Sequence, residues 1–193
     1  ILYDIGRPLH VFDMQKISGD LTVMCLDEKE KFIGLDKKEY VLCKGDIVIK
    51  DNEKTVSVAG IMGGLNSCVD ENTRDVFLEV AYFSPQKIAN TGRRLGITSD
   101  ARYRFERGID PKGLIEGLEY STALINRICG GSFSDHVVSG NPIKLTKVIK
   151  YDFNSFEKII GFPVNKTRQK NILLSLDFSI IREERHIIYL SPP

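Results

Sequence analysis

Long apolar runs are missing from this 193-residue sequence, the longest being only a handful of residues. A helix that spans a bilayer needs about 20, so no membrane segment is expected. Cysteine is sparse and poorly placed for chemistry. Cys25, Cys43, Cys68 and Cys129 form no C-x-x-C pair, and no histidine stands at ligand spacing from them, which argues against a zinc site or a disulfide scaffold. Four reduced thiols in a cytoplasmic protein are the expectation, with no metal ligands. An initiator methionine is absent too: the chain opens on Ile1 and closes on Ser191, Pro192 and Pro193, so it reads as a piece cut from a longer protein, without signal or transit peptide. Internal repeats and low-complexity segments are lacking.

What is present, 42% hydrophobic and 27% charged residues, suits a soluble globular protein with one larger and one smaller domain. Residues 1–140 hold 18 basic and 21 acidic side chains, a net of −3, whereas 141–193 hold 9 and 5, a net of +4. From Leu21 to Phe83 the pattern is of short β-rich runs separated by charged or glycine-containing turns: Leu21–Leu26, Lys31–Leu35, Tyr40–Leu42, Ile47–Lys50, Thr55–Ala59 and Val76–Tyr82. This predicts a mostly antiparallel sheet. Two helices follow. One has Ser84 as N-cap and Pro85 at its first position, and stops at Gly96. The other has Asp110 as N-cap and an apolar face of Leu114, Leu118, Ile125 and Cys129, and ends at Gly130 and Gly131.

Gly140, Asn141 and Pro142 break the pattern where the charge changes sign, which places a domain boundary between 1–140 and 141–193. The second stretch reads as a strand (Val148–Tyr151), a helix capped by Asn154 and stopped by Gly161, a helix capped by Asn165, and a hairpin from Phe178 to Leu190. The expected class is therefore α+β: a mostly antiparallel sheet domain with two packed helices, then a small winged-helix-like domain.

Three stretches in order carry a family resemblance. They are Gly6-Arg7-Pro8-Leu9-His10-Val11-Phe12-Asp13, then Ala59-Gly60-Ile61-Met62-Gly63-Gly64 with Asp75 to Phe83, and then Arg93-Arg94-Leu95-Gly96 through Asp100-Ala101 to Arg104-Phe105-Glu106-Arg107-Gly108. Together they resemble the beta subunit of bacterial-type phenylalanyl-tRNA synthetases, and they cover almost all of residues 1–140. The remainder is similar, by pattern, to the small domain that follows the editing module. Arg7 departs from a position where Gln is common, Ser99 from one often Thr, and Arg102 from one often Ser.

The resemblance implies hydrolysis of mischarged Tyr-tRNA(Phe). A pocket built for phenylalanine rejects an added hydroxyl only about 10²-fold, so a second site that requires the hydroxyl is the physical remedy. Glu79 is the candidate reader: on the run Val76–Tyr82 it shares a face with Phe77 and Ala81, one acceptor among apolar walls. Its bland alternative is an edge-strand glutamate paired with Arg93 or Arg94. By resemblance Pro8, His10, Gly63, Ser99 and Ala101 line the same pocket. His10, in a turn-prone segment, would position a water or the terminal ribose, or be merely structural. Gly60, Gly63 and Gly64 match no phosphate or dinucleotide fingerprint; they make a tight turn, or at Gly63 expose backbone amides to the ester oxygen. Ala101 would leave room for the ring.

Arg93, Arg94 and Arg104, with Arg102 and Arg107, either touch tRNA phosphates or form a solvated face or ion-pair network. With no Cys/His or Ser/His pair, direct attack by water is expected. Class II synthetase motifs are absent, so by resemblance ATP and Mg2+ serve the whole enzyme through a partner alpha subunit in an α2β2 assembly, while tRNA(Phe), tyrosine and phenylalanine are the ligands of this part. A non-catalytic RNA-binding or assembly module is the alternative reading, supported by the basic tail.

Overall fold

The computed structural model describes residues 1–141 and 148–193. They divide into two compact units, Ile1–His136 and Val137–Pro193. Of the breaker cluster, Pro142 lies outside the described residues.

The first unit begins with a short helix α1 (Leu2–Ile5) and a strand β1 (His10–Asp13), where the sequence suggests only a turn. The strand exists because it has a distant partner, β8 (Val76–Glu79), with which it pairs antiparallel in the register His10↔Glu79, Val11↔Leu78, Phe12↔Phe77, Asp13↔Val76. Asp13 stops β1 by accepting from Gln15 N at 3.0 Å, which caps a 3-10 turn at Met14–Lys16. Between these strands runs a four-stranded antiparallel sheet of β2 (Thr22–Cys25), β5 (Ile47–Lys50), β6 (Thr55–Val58) and β7 (Met62–Gly63), in that order. A separate hairpin, β3 (Glu30–Ile33) with β4 (Glu39–Leu42), joins it through a bridge between Gly34 and Gly64. The expected antiparallel sheet is thus built as three pieces.

Phe32, Leu42, Val48, Val56 and Val58 of these strands meet Phe12 and Ile88 in one core, each such side chain contributing about 1.5–3 kcal/mol when fully buried. Helix α2 (Pro85–Leu95) has the predicted Ser84, Pro85 and Gly96 at its ends, Gly96 being left-handed at φ 65°. A third helix, α3 (Asp100–Phe105), has no counterpart in the sequence reading. Its N-cap is Ser99, whose hydroxyl accepts from Arg102 N at 3.1 Å, and Phe105 anchors it by packing 5.3 Å from Phe83. Gly60 makes that anchor fit: it turns the chain from β6 to β7 at φ 67°, and a Cβ there would sit 3.0 Å from both rings.

Helix α4 (Leu114–Cys129) starts later than expected, with Gly113 rather than Asp110 as its N-cap. Asp110 accepts instead from Lys112 N and Gly113 N, at 3.0 and 3.2 Å, and so closes a turn ahead of the helix. The buried line on α4 is Gly117 and Ser121, and Cys129 is exposed rather than inward. Gly117 lies under the Arg7 side chain, so close that a Cβ on it would be 2.5 Å from Arg7 Cδ. Arg7 donates to Asp110 O at 2.6 Å.

The second unit runs β9 (Ile149–Asp152), α5 (Phe153–Ile160), α6 (Lys166–Ser175), β10 (Ser179–Glu183) and β11 (Ile187–Ser191), with strand order β10-β11-β9, all antiparallel. Asn165 caps α6 as predicted, accepting from Arg168 N at 2.8 Å. The cap of α5 is Asp152, not Asn154: the Asp152 carboxylate accepts from Asn154 N at 2.9 Å. Phe153, Ile188 and Leu190 form a small core beside the buried Gln169, which takes a hydrogen bond from Tyr151 Oη at 2.8 Å and donates to Val164 O at 2.7 Å. The fold as a whole is α+β, of helices with antiparallel sheets.

Candidate functional site

The register of β1 against β8 sets the site. Residues directly opposite in an antiparallel pair present their side chains on the same face, so His10 and Glu79 face one cavity of about 220 Å³. Pro8 and Leu9 lead into it from the start of β1. Met62 and Gly63 of β7 and Ser57 of β6 form another wall, and Ala101 and Phe105 of α3 close it, with Ser99 at the helix N-terminus. All six residues assigned from the sequence to catalysis or substrate binding (Pro8, His10, Gly63, Glu79, Ser99 and Ala101) therefore line one cavity.

Glu79 is the most perturbed acid on the wall. The residue as a whole keeps some solvent-accessible surface, while protein packs closely round its carboxyl group, and this burial pushes the acid up to about 7. Among the described residues it has no ion-pair partner. The bland pairing with Arg93 or Arg94 is overturned: Arg94 forms its ion pair with the buried Asp46 and donates to Val41 O at 3.1 Å. Also against expectation, β8 ends at Glu79 and Ala81 lies beyond it, so the face that Glu79 shares is with Phe77 and, across the strands, His10 and Phe12.

His10 is held neutral by burial, which lowers its imidazole. Its ring meets Phe12 edge-on at 4.5 Å between centroids, and its Nε2 is buried without a hydrogen-bond partner among the described residues. A buried polar atom left open in this way is costly. Gly63 explains how the ring fits, since a Cβ there would sit 2.2 Å from His10 Cε1 and 2.7 Å from Nε2. The bare Cα of Gly63 thus makes room for the imidazole, and its carbonyl is taken by Leu35 N at 3.0 Å.

Ser99 does structural work within the wall. Its hydroxyl donates to Ile61 O at 2.8 Å while capping α3, which ties the helix to the turn before β7. Leu35, Ser57, Ile61 and Met62 were not singled out from the sequence. For Ser57 a signal existed, a small polar residue between Val56 and Val58 on a strand that is buried throughout; its hydroxyl makes one long bond of 3.3 Å to Met62 O.

The arginines do not join the cavity. Arg102 pairs with Glu106 at 3.0 Å and donates to Ile97 O at 2.5 Å, Arg104 binds Asp100 O at 3.0 Å, and Arg107 pairs with Glu106 at 3.0 Å. Arg93 is exposed at the end of α2. Most of this cluster is therefore an ion-pair network. Arg7, for its part, turns towards α4 and leaves the cavity wall to Pro8.

Comparison with known proteins came to the same stretch of chain. Residues 1–130 match the family model of the B3/4 domain. The chain is 44% identical over 178 residues to the phenylalanine–tRNA ligase beta subunit of Nitrobacter winogradskyi, an alignment that covers 92% of this chain and 22% of that protein. It is 42% identical over all 193 residues to the same subunit of Gluconobacter oxydans, or 24% of that protein. The chain therefore spans about a quarter or less of the length of these relatives. An N-terminal fragment of the phenylalanyl-tRNA synthetase beta subunit from Pyrococcus horikoshii is 16% identical, with a TM-score of 0.41, and the match covers 96% of this chain and 53% of that one.

Proposed function

The chain belongs to the B3/4 domain family, in the form found in phenylalanine–tRNA ligase beta subunits, and from that premise we propose that the His10–Glu79 cavity hydrolyses tyrosyl esters on tRNA(Phe). The single observation that carries the reading is an enclosed, unpaired Glu79 carboxyl facing an imidazole with an open Nε2 across a cavity of about 220 Å³. Either protonation state of Glu79 serves a phenol. The carboxylate accepts the phenolic O–H, and the acid donates to the phenolic oxygen. A phenylalanine ring leaves the same group buried and unpaired, which is the source of selectivity.

An aminoacyl ester is already activated, so the chemistry required is chiefly placement of a water against the carbonyl. His10 supplies an acceptor for that water, or for the ribose hydroxyl beside the ester, at the atom that lacks a partner. The wall offers no nucleophile paired with a base, which favours direct attack by water over a covalent intermediate. ATP, Mg2+, amino-acid activation and the α2β2 assembly belong to the complete enzyme and its alpha subunit in this reading, and localisation is cytoplasmic.

The test is hydrolysis of Tyr-tRNA(Phe) by the complete enzyme, alongside calorimetry with free amino acids. Glu79→Ala is expected to abolish the preference for tyrosine over phenylalanine and to slow hydrolysis. Unchanged hydrolysis, or equal affinity for the two amino acids, would leave the competing reading of a non-catalytic RNA-binding or assembly module.

A further inference from the structure

Among the described residues Arg7 is the only buried cation, at 7% exposure. Its one hydrogen bond there runs from Nη2 to the backbone carbonyl of Asp110 at 2.6 Å, while Nη1 is buried with no partner. Enclosing a guanidinium on so few contacts is costly. Helix α4 is nonetheless shaped to receive it: a Cβ on Gly113 would lie 2.8 Å from Nη2, and one on Gly117 would lie 2.5 Å from Cδ and 2.8 Å from Nε. Residues four apart lie on one face of a helix. The two glycines therefore make a groove along which the Arg7 side chain lies.

We propose that Arg7 is a positioning residue for the hydrolytic site, fixing the Pro8–His10 wall of the cavity against the segment that joins α3 to α4. The inference rests on the editing reading and deepens it. Arg7 does not line the cavity, so it acts through its neighbours. Pro8, next in sequence, does line it; its ring fixes its own φ and biases Arg7 towards extended backbone. Two residues further on, His10 enters the ladder opposite Glu79. The stretch from Arg7 to His10 is thus held at both ends, with little torsional freedom between. Asp110, at the far end of the Arg7 bond, follows α3, whose Ala101 and Phe105 form another wall of the same cavity. One hydrogen bond behind the cavity therefore sets two of its walls in relation. In the proposed reaction Glu79 reads the ring while His10 places the water, so a shift of the Pro8–His10 wall misplaces the water more than the ring.

The experiment follows hydrolysis of Tyr-tRNA(Phe) by the complete enzyme and, separately, its affinity for tyrosine. Arg7→Met keeps an unbranched side chain in the groove but has no donor. It should slow hydrolysis by about 10- to 100-fold, the scale of loss for a reacting group displaced by about 1 Å, and leave tyrosine affinity within about twofold of the parent. Arg7→Lys should restore the rate to within about threefold, because a single N–H carries the bond and the second arm of the fork is unused. In a His10→Ala background, Arg7→Met should add no further loss. Gly117→Ala makes the same test from the helix side and keeps it decisive should Arg7→Met not fold. Alanine is the better helix former, yet its Cβ would meet the middle of the Arg7 side chain, so hydrolysis should slow in the parent and be unaffected where Arg7→Ala has emptied the groove. Unchanged hydrolysis in Arg7→Met or Gly117→Ala would overturn the proposal. So would a parallel fall of rate and tyrosine affinity, Arg7→Lys no faster than Arg7→Met, or losses that multiply with His10→Ala. A parent enzyme that does not hydrolyse Tyr-tRNA(Phe) would instead strike the editing reading.

Discussion

Replacing Glu79 by Gln removes one ionisable group from the cavity and should change how stability depends on pH. Burial raises the carboxyl from 4.5 to about 7, a rise equivalent to about 3 kcal/mol at roughly 1.4 kcal/mol per pH unit. The residue keeps some solvent contact, so water screens part of the penalty and about 1–2 kcal/mol is expected. The folded state holds this proton more tightly than the unfolded chain does. Its contribution is therefore complete below pH 4.5 and is lost as pH rises to about 7. Glu79→Gln lacks that loss, so relative to the parent it should gain about 1–2 kcal/mol between pH 4.5 and pH 8. His10 has the opposite sense: burial lowers its imidazole, the unfolded chain takes up the proton first, and stability is lost as pH falls through about 6.5. Both proteins contain His10, so its effect cancels in the comparison. Urea unfolding at pH 5, 6, 7 and 8, followed by far-ultraviolet circular dichroism, measures the difference. A gap between variant and parent that is the same at pH 5 and pH 8 would refute the enclosure of Glu79 on which the site is built.

Four further outcomes are expected. His10→Ala should slow hydrolysis of Tyr-tRNA(Phe) by about 10- to 10³-fold, since one acceptor is lost while the rest of the wall remains; a trapped tyrosyl-enzyme ester on any side chain would show the direct-water mechanism to be wrong. Gly63→Ala must push the imidazole aside, because the new Cβ would lie 2.2 Å from Cε1. Its rate loss should match that of His10→Ala, and the double variant should be no slower, whereas multiplied losses would mean that the two residues act separately. Asp46→Ala removes the partner of Arg94, of Thr91 Oγ1 at 2.7 Å and of Cys43 N at 2.8 Å; it should cost about 2–3 kcal/mol in denaturant titration without changing tyrosine affinity. In the second unit, Gln169→Leu strands Tyr151 Oη and Val164 O and should cost about 1–3 kcal/mol, seen only in the unfolding of that unit.

Local signals were legible where the chain's own neighbours decide conformation. Helix α2 lies where Pro85 and Gly96 place it, because a fixed proline φ and a left-handed glycine act within one turn, while Ser84 holds the N-cap position without a side-chain hydrogen bond. Strand β5 matches Ile47–Lys50, and the Asn165 cap and the terminal hairpin were also foreseen. Less local elements were not. The start of α4 was set three residues late by an Asp110 turn that resembles a cap in sequence, and the six-residue α3 is too short for periodicity to show.

The sequence by itself determined the class of the fold, the placement of its locally encoded strands and helices, and, through three spaced motifs, the residues to look for at the site. Only the tertiary structure decided what those residues do to one another. Strand β1 has no strong pattern of its own and is made by pairing with β8, and that register alone sets His10 opposite Glu79. The same folding withdraws Arg94 to Asp46 and so leaves the Glu79 carboxyl enclosed without a cation, its proton held to about pH 7. Charge and packing act through space, between segments far apart in the chain, and a pKa or an unfilled hydrogen bond exists only once those segments have met.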